Sequence, residues 1–142
     1  MISIIVAEKF NGSCLCGAIR YCIEGDADRF YHCHCSRCRK ATGTGHASNL
    51  LMARPVSVEW LTGEKNLRSY KVADAKRFAT VFCGTCGSPL PRVAPDNSMA
   101  VIPAGSLDSL PSVSPQARIF YDSRMPWTCC GQELPTYSRY PD

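Results

Sequence analysis

The chain has 142 residues, 45% of them hydrophobic and 20% charged. That composition suits one globular domain over residues 1–142 and excludes a disordered chain; no apolar run reaches the roughly 18 residues of a membrane span, and Met1-Ile2-Ser3-Ile4-Ile5-Val6 has neither the basic flank nor the small-residue cleavage site of a secretory signal. The net charge of +4 is modest and its basic residues are scattered, so neither a membrane nor a nucleic acid is an expected partner, and the expected location is cytoplasmic.

Residues 2–10 read as a first strand rich in β-branched side chains, and Asn11-Gly12-Ser13 reads as a turn. Residues 18–23 alternate and form a second strand, which Gly25-Asp26-Ala27-Asp28 should break; residues 29–32 then start another. Ser36 is the expected N-cap of one short helix over residues 37–42, stopped by Gly43. From there the pattern is almost wholly β, with strands expected at 46–52, 56–60, 67–72, 78–82, 99–102 and 118–121. Prolines crowd the later part, from Pro89 and Pro91 to Pro135 and Pro141, and should lay it over the sheet as ordered coil. The expected fold is mainly β: folded-over antiparallel sheets stapled by zinc, with one short helix after the Cys33–Cys38 cluster.

The abnormal number is ten cysteines. In a reducing compartment, cysteines at short regular spacings are metal ligands more often than disulfides. Seven of the ten form three tight groups: Cys14-Leu15-Cys16 followed by Gly17, Cys33-His34-Cys35-Ser36-Arg37-Cys38, and Cys83-Gly84-Thr85-Cys86 followed by Gly87. Both sulfurs of a pair must turn towards one ion about 2.3 Å away, and a trailing glycine supplies the backbone freedom for that turn. Structural zinc takes four ligands, whereas catalytic zinc keeps a position open. Counting ligands therefore puts Cys14, Cys16, Cys83 and Cys86 on one closed zinc and Cys33, Cys35 and Cys38 on a second, open one. Seven thiolates on two Zn²⁺ would bring the net charge close to neutral. Disulfides, a single zinc with spare thiols, and two closed sites remain alternatives; His32, His34, His46, Cys22, Cys129 or Cys130 would complete the second. His34, between two ligands in an extended segment, should point away from the metal. Cys22 should pack as a small buried hydrophobe, and Cys129-Cys130 reads as incidental.

Arg37, Arg39 and Lys40 surround the trio. They offset the thiolates and make a rim where a small anionic thiol can set its carboxylates while its sulfur takes the open position, held as the nucleophilic thiolate. The bland reading is a solvated basic helix face. Thr42-Gly43-Thr44-Gly45 either lines that pocket or is simply a turn.

Three stretches carry a resemblance: Gly12-Ser13-Cys14-Leu15-Cys16-Gly17-Ala18-Ile19-Arg20-Tyr21; Cys33-His34-Cys35-Ser36 with Cys38-Arg39-Lys40 and Thr42-Gly43; and Phe82-Cys83 with Cys86-Gly87-Ser88-Pro89-Leu90. Together they resemble the glutathione-dependent formaldehyde-activating enzyme family, whose domain also occurs in centromere protein V. Weaker signals agree: Leu61-Thr62-Gly63, Gly105-Ser106-Leu107-Asp108, and Ile119-Phe120 with Ser123 and Met125-Pro126-Trp127. The resemblance implies a mainly β zinc protein with the same division of ligands. It implies carbon–sulfur lyase chemistry on a thiol–aldehyde adduct, in the family's namesake reaction glutathione plus formaldehyde giving S-hydroxymethylglutathione. The expected partners are thus a small thiol such as glutathione and a small aldehyde. Cys33, Cys35 and Cys38 are the expected catalytic ligands, and Arg37, Arg39 and Lys40 the expected glutathione-binding residues. The alternative is a non-catalytic zinc-stapled binding module, which would want closed sites and a basic face with exposed aromatics.

Overall fold

The computed structural model describes residues 7–129 and 134–141, apart from the side chains of Arg54, Pro55 and Cys129. In chain order the elements are β1 (Glu8–Ser13), β2 (Arg20–Cys33), helix α1 (Ser36–Thr42), β3 (Ala47–Thr62), β4 (Leu67–Lys71), β5 (Ala79–Cys83), β6 (Pro89–Leu90), β7 (Arg92–Val93), β8 (Met99–Pro103) and β9 (Ala117–Ile119). Short 3₁₀ turns occupy Glu64–Asn66, Ala104–Ser106, Tyr121–Ser123 and Pro126–Cys129. The larger sheet has six strands in the order β1-β2-β3-β8-β7, with β9 beside the end of β2; the smaller has β4-β5-β6. The fold is mainly β, with curled antiparallel sheets and one α-helix among the described residues, as the sequence indicates.

Strand boundaries differ from the expectation in instructive ways. Of the expected first strand, residues 2–6 lie outside the described residues. Asn11, Gly12 and Ser13 do not turn; they pair with Cys22, Tyr21 and Arg20. Glycine sits at position 12 because the Tyr21 ring crosses its backbone, and any Cβ there would collide with the phenol. The turn comes later, at Cys14–Gly17, where the Gly17 amide donates to the Cys14 carbonyl at 3.0 Å. The Gly25–Asp28 segment does not end a strand. It is absorbed in β2 as register shifts between Glu24, Asp26 and Arg29, because a β-bulge accommodates extra residues without breaking the ladder. Likewise 46–52 and 56–60 fuse into one 16-residue β3. Pro89, Leu90, Arg92 and Val93 form the short strands β6 and β7 where coil was expected. Pro89 has no N–H for the ladder and β6 is an edge strand, where the loss is tolerated.

The core lies on one face of the large sheet. Tyr21, Ile23, Leu50, Met52, Ala100 and Ile102 are fully buried there, and each large aliphatic contributes about 1.5–3 kcal/mol of burial. Cys14 and Cys83 belong to this core cluster, while Cys33, Cys38 and Ala47 form a separate small one with Ile119 and Phe78 against it. The two cysteine groups thus have different structural weight before any metal is considered.

Candidate functional site

Turns at two points in the chain bring the first group together. Cys14 and Cys16 sit on the loop after β1, Cys83 ends β5, and Cys86 sits on the loop between β5 and β6. Gly17 and Gly87 both adopt positive φ, +79° and +76°, the left-handed conformation for which glycine is suited. The four sulfurs all lie within 4.8 Å of one another. Cys14 and Cys16 are 3.6 Å apart, and Cys16 and Cys83 are 3.9 Å apart. Four sulfurs at about 2.3 Å from a tetrahedral zinc are separated by about 3.8 Å, so the donor set fits such an ion. Amides fold over the sulfurs as well: Ile19 N–H donates to Cys14 at 3.3 Å, Thr85 N–H to Cys83 at 3.4 Å, and the Asn66 amide to Cys83 at 3.6 Å.

Their acidities show the strain of packing four thiols together. The Ser88 hydroxyl and the Cys16 and Ser88 amides pull Cys86 down to about 5. The Ala18 amide pulls Cys16 the same way, but desolvation and the three neighbouring sulfurs outweigh it and hold Cys16 up at about 11. A dication removes that conflict, because it favours every thiolate at once.

The trio is built on the end of β2 and the start of α1. Cys33 faces Ala47 on β3 and Ile119 on β9. The N-cap of α1 is Cys35, not Ser36: its thiol accepts the Cys38 N–H at 3.3 Å, and the helix runs Ser36–Thr42 before Gly43 closes it at φ +71°. A sulfur that must turn towards Cys38 is thereby placed to cap the same turn. The three sulfurs lie within 4.8 Å of one another, and no fourth His, Cys, Asp or Glu among the described residues joins them. Burial pushes the Cys33 and Cys38 thiols up. It acts the same way on Cys35, but the Cys38 amide and the other two thiols outweigh it and bring Cys35 down.

The histidines do not complete the trio. They lie on the opposite face of β2, where His32 stacks on His46 with ring centroids 4.1 Å apart and His46 lies 5.2 Å from His34. His34 points away from the cysteines, as its place between two ligands implies, and the Tyr121 ring stands edge-on to it at 5.4 Å. Burial, then His46 and Arg118, lower the pKa of both His32 and His34 below the usual imidazole value. Cys22 is half-buried on its strand and joins neither cluster, in place of the full burial expected. Cys130 lies outside the described residues.

The cationic residues divide. Arg37 forms an exposed ion pair with Asp74 at 3.7 Å, and Arg39 donates to the Ser123 carbonyl at 3.3 Å. Lys40, in the last turn of α1, is exposed. Thr42 and Thr44 bond to each other at 2.7 Å and to nearby carbonyls, so this stretch is a self-contained turn. Three polar residues near the sulfurs escaped the sequence reading: Asn66 and Ser88 at the four-cysteine group, and Asn49 at Cys38. Ser88 was visible as the residue after the Cys-x-x-Cys-Gly turn. Asn49 was visible only as a polar residue two places along β3 from Ala47, hence on the face of Cys33.

Fold and site together define a mainly β protein with one cluster of four and one of three cysteine sulfurs, each of which could hold a metal ion. Residues 9–123 match the family described as glutathione-dependent formaldehyde-activating enzyme, and the chain belongs to that family. A crystal structure of a Rhodobacter sphaeroides protein, a structural-genomics target, shares the fold: TM-score 0.55 and 19% identity, covering 76% of this chain and 98% of that one. No curated protein matches the sequence at a significant level. Among the described residues, no helix is long and apolar enough to cross a membrane.

Proposed function

We infer that the protein joins a small thiol to a small aldehyde at the trio, with glutathione and formaldehyde as the substrates favoured by its family. In class terms it is a carbon–sulfur lyase working in the direction of bond formation, and its thiol chemistry suits the reducing cytoplasm. Cys14, Cys16, Cys83 and Cys86 would hold a structural zinc, and Cys33, Cys35 and Cys38 a second with one position open. When bound, zinc supplies a site that holds a thiol as its nucleophilic thiolate.

The chain's own contribution is orientation and charge. Lys40 would be free to meet a carboxylate of the thiol, since Arg37 and Arg39 already have partners. Arg37 can exchange its ion pair for a substrate carboxylate at little cost, because exposed ion pairs are worth at most about 1 kcal/mol. In the reaction the thiol loses its proton to solvent and the sulfur attacks the carbonyl carbon. The C–S bond forms as the C=O π bond breaks, and the electron pair moves to oxygen, which takes a proton from water. The product is the S-hydroxymethyl thioether.

The observation that carries this reading is the three-sulfur cluster with no fourth ligand among the described residues, against a four-sulfur cluster elsewhere in the same chain. Titration calorimetry of the zinc-loaded protein with glutathione and with S-methylglutathione tests it. S-methylglutathione keeps the carboxylates and cannot become a thiolate. Glutathione should bind in the micromolar to millimolar range and the methyl thioether should not; equal binding of both would refute the reading.

A further inference from the structure

Each cysteine cluster has one asparagine side chain against a buried sulfur. At the four-cysteine group, the Asn66 amide reaches Cys83 at 3.6 Å and is also tied to Thr85 Oγ1 at 2.7 Å. Its backbone is fixed too, donating to Gly63 and accepting from Gly84, both at 2.8 Å. The backbone and the side-chain N–H groups of Asn66 are thus committed to holding its loop. At the trio, the Asn49 amide reaches Cys38 at 4.0 Å, and among the described residues its side chain has no other partner.

Asn49 is also held on a rigid element. It lies in the middle of the sheet, flanked by Tyr31 on β2 and Pro103 on β8. It is half-buried, and Cys38 is the one hydrogen-bond partner of its amide among the described residues. A primary amide has two N–H donors. One pointed at a thiolate leaves the other for an oxygen next to that sulfur. Among the described residues no His, Asp or Glu joins the three sulfurs as a fourth group within 4.8 Å of them all, so the Asn49 amide is the neutral donor on hand.

We propose that Asn49 is a catalytic residue of the reaction put forward above, donating a hydrogen bond to the substrate oxygen while its other N–H steadies Cys38. As the C–S bond forms, charge grows on the former carbonyl oxygen, and a fixed donor stabilises that charge more than it stabilises the neutral aldehyde. Water then delivers the proton. In the reverse direction the same amide holds the hydroxymethyl oxygen while the C–S bond breaks. The assignment rests on the thiol–aldehyde reading of the site.

Asn49→Asp, Asn49→Ala and Asn49→Ser, each compared with wild type, test it. Aspartate keeps the shape and lacks the donor, alanine lacks the group, and serine keeps a shorter donor. Four quantities are read: zinc content, glutathione affinity by calorimetry, zinc retention against a chelator, and the kcat and KM of S-hydroxymethylglutathione formation above the uncatalysed rate. The expected result is a fall in kcat of about 10²-fold for Asp and Ala and a smaller one for Ser. KM and glutathione affinity should stay within about threefold. Zinc should leave the trio on the order of 10-fold more readily, with the four-cysteine zinc unchanged. A kcat within twofold of wild type in Asp and Ala would overturn the proposal, as would full restoration of kcat by excess zinc, which would make Asn49 a metal-positioning residue only. Absence of turnover in wild type would overturn the parent reading and the substrate-oxygen role with it, whereas the chelator result reports on the Asn49–Cys38 contact independently.

Discussion

The Leu15 amide donates to the Ser88 hydroxyl at 3.0 Å, across 73 positions of sequence. The same oxygen lies 3.2 Å from the Cys86 sulfur, so one hydroxyl ties the loop of Cys14 and Cys16 to the loop of Cys83 and Cys86.

Ser88→Ala should therefore act on one metal centre and leave the other alone. Losing the hydroxyl leaves the Leu15 N–H short of a partner and removes the donor that lowers the Cys86 thiol. The expected cost is about 1 kcal/mol in folding stability, with affinity for the four-cysteine zinc falling on the order of 10-fold. Chelator competition followed by zinc-edge absorption, which separates a four-sulfur from a three-sulfur site, is the measurement. Equal weakening of both sites would contradict the assignment of Ser88.

The cysteine classes should respond differently to mutation. Cys14 and Cys83 are buried in the main core cluster, and their group joins loops far apart in sequence. Metal binding at such a site is folding free energy, on the order of 10 kcal/mol. Cys14→Ser or Cys83→Ser should give insoluble or molten protein by near-UV dichroism. Cys35→Ser is the informative contrast. Serine is itself a preferred N-cap, so this variant keeps the cap of α1 while giving up a sulfur. It should stay folded, lose about one zinc, and lose thiol–aldehyde turnover. Cys35→Ala loses the cap as well and should melt about 1 kcal/mol lower in stability than Cys35→Ser.

These contrasts show what the sequence could and could not disclose. The seven clustered cysteines were legible because metal knuckles are local: two sulfurs and a glycine within four residues declare a turn without reference to the rest of the chain. The opposing faces of His34 and Cys33 followed from strand alternation alone. The run through Gly25–Asp28 was not legible, because a glycine next to two aspartates signals a turn and a bulge equally well. Nor was the parallel pairing of β9 with the end of β2, which depends on a contact about 86 residues away. The contacts of Asn49 and Ser88 with sulfur were hidden for the same reason. An asparagine or serine is ordinary until a distant sulfur is placed beside it.

Alkaline pH should expose a buried phenol. Ser106 Oγ donates to the Pro103 carbonyl at 2.8 Å, so Tyr21 is the donor in its 2.6 Å contact with Ser106. Burial is the main cause, opposed by Ser106 and assisted by Asp108, and it pushes Tyr21 up to about 12. Below pH 10 the phenol is neutral in both the folded and unfolded states, and its contribution is constant. Between about pH 10 and 12 the unfolded chain ionises and the folded one does not, so stability is lost as pH rises, by roughly 2 kcal/mol. Tyr21→Phe lacks this loss but gives up a hydrogen bond worth about 1 kcal/mol. Urea melts at pH 8 and pH 11.5 should show the phenylalanine variant the weaker at the first and level with or above wild type at the second. Parallel curves for the two proteins would contradict the raised ionisation of Tyr21.

Phe120 should invert the usual ranking of glycine and alanine. It follows Ile119, which packs on the trio, and it ends β9 by adopting φ 52° and ψ 40°. The expected strand 118–121 stops short for this reason: a left-handed residue cannot continue a ladder. For a bulky L-residue that conformation costs roughly 1–2 kcal/mol, and the ring recovers little by burial, being 64% exposed. The strain is sustained by neighbours. The His34 N–H donates to the Ile119 carbonyl at 2.9 Å on one side, and Arg39 donates to the Ser123 carbonyl at 3.3 Å on the other. Glycine adopts positive φ freely, whereas alanine retains the steric cost. Phe120→Gly should therefore unfold about 1 kcal/mol later than Phe120→Ala, against the normal order in strands and helices, in which glycine is the weaker residue by a similar amount. Chemical denaturation of the two variants at neutral pH decides it. An alanine variant as stable as the glycine variant would mean that the segment 119–124 relaxes out of the left-handed conformation once the ring is gone, and the anchoring at Ile119 and Ser123 would then be too weak to hold it.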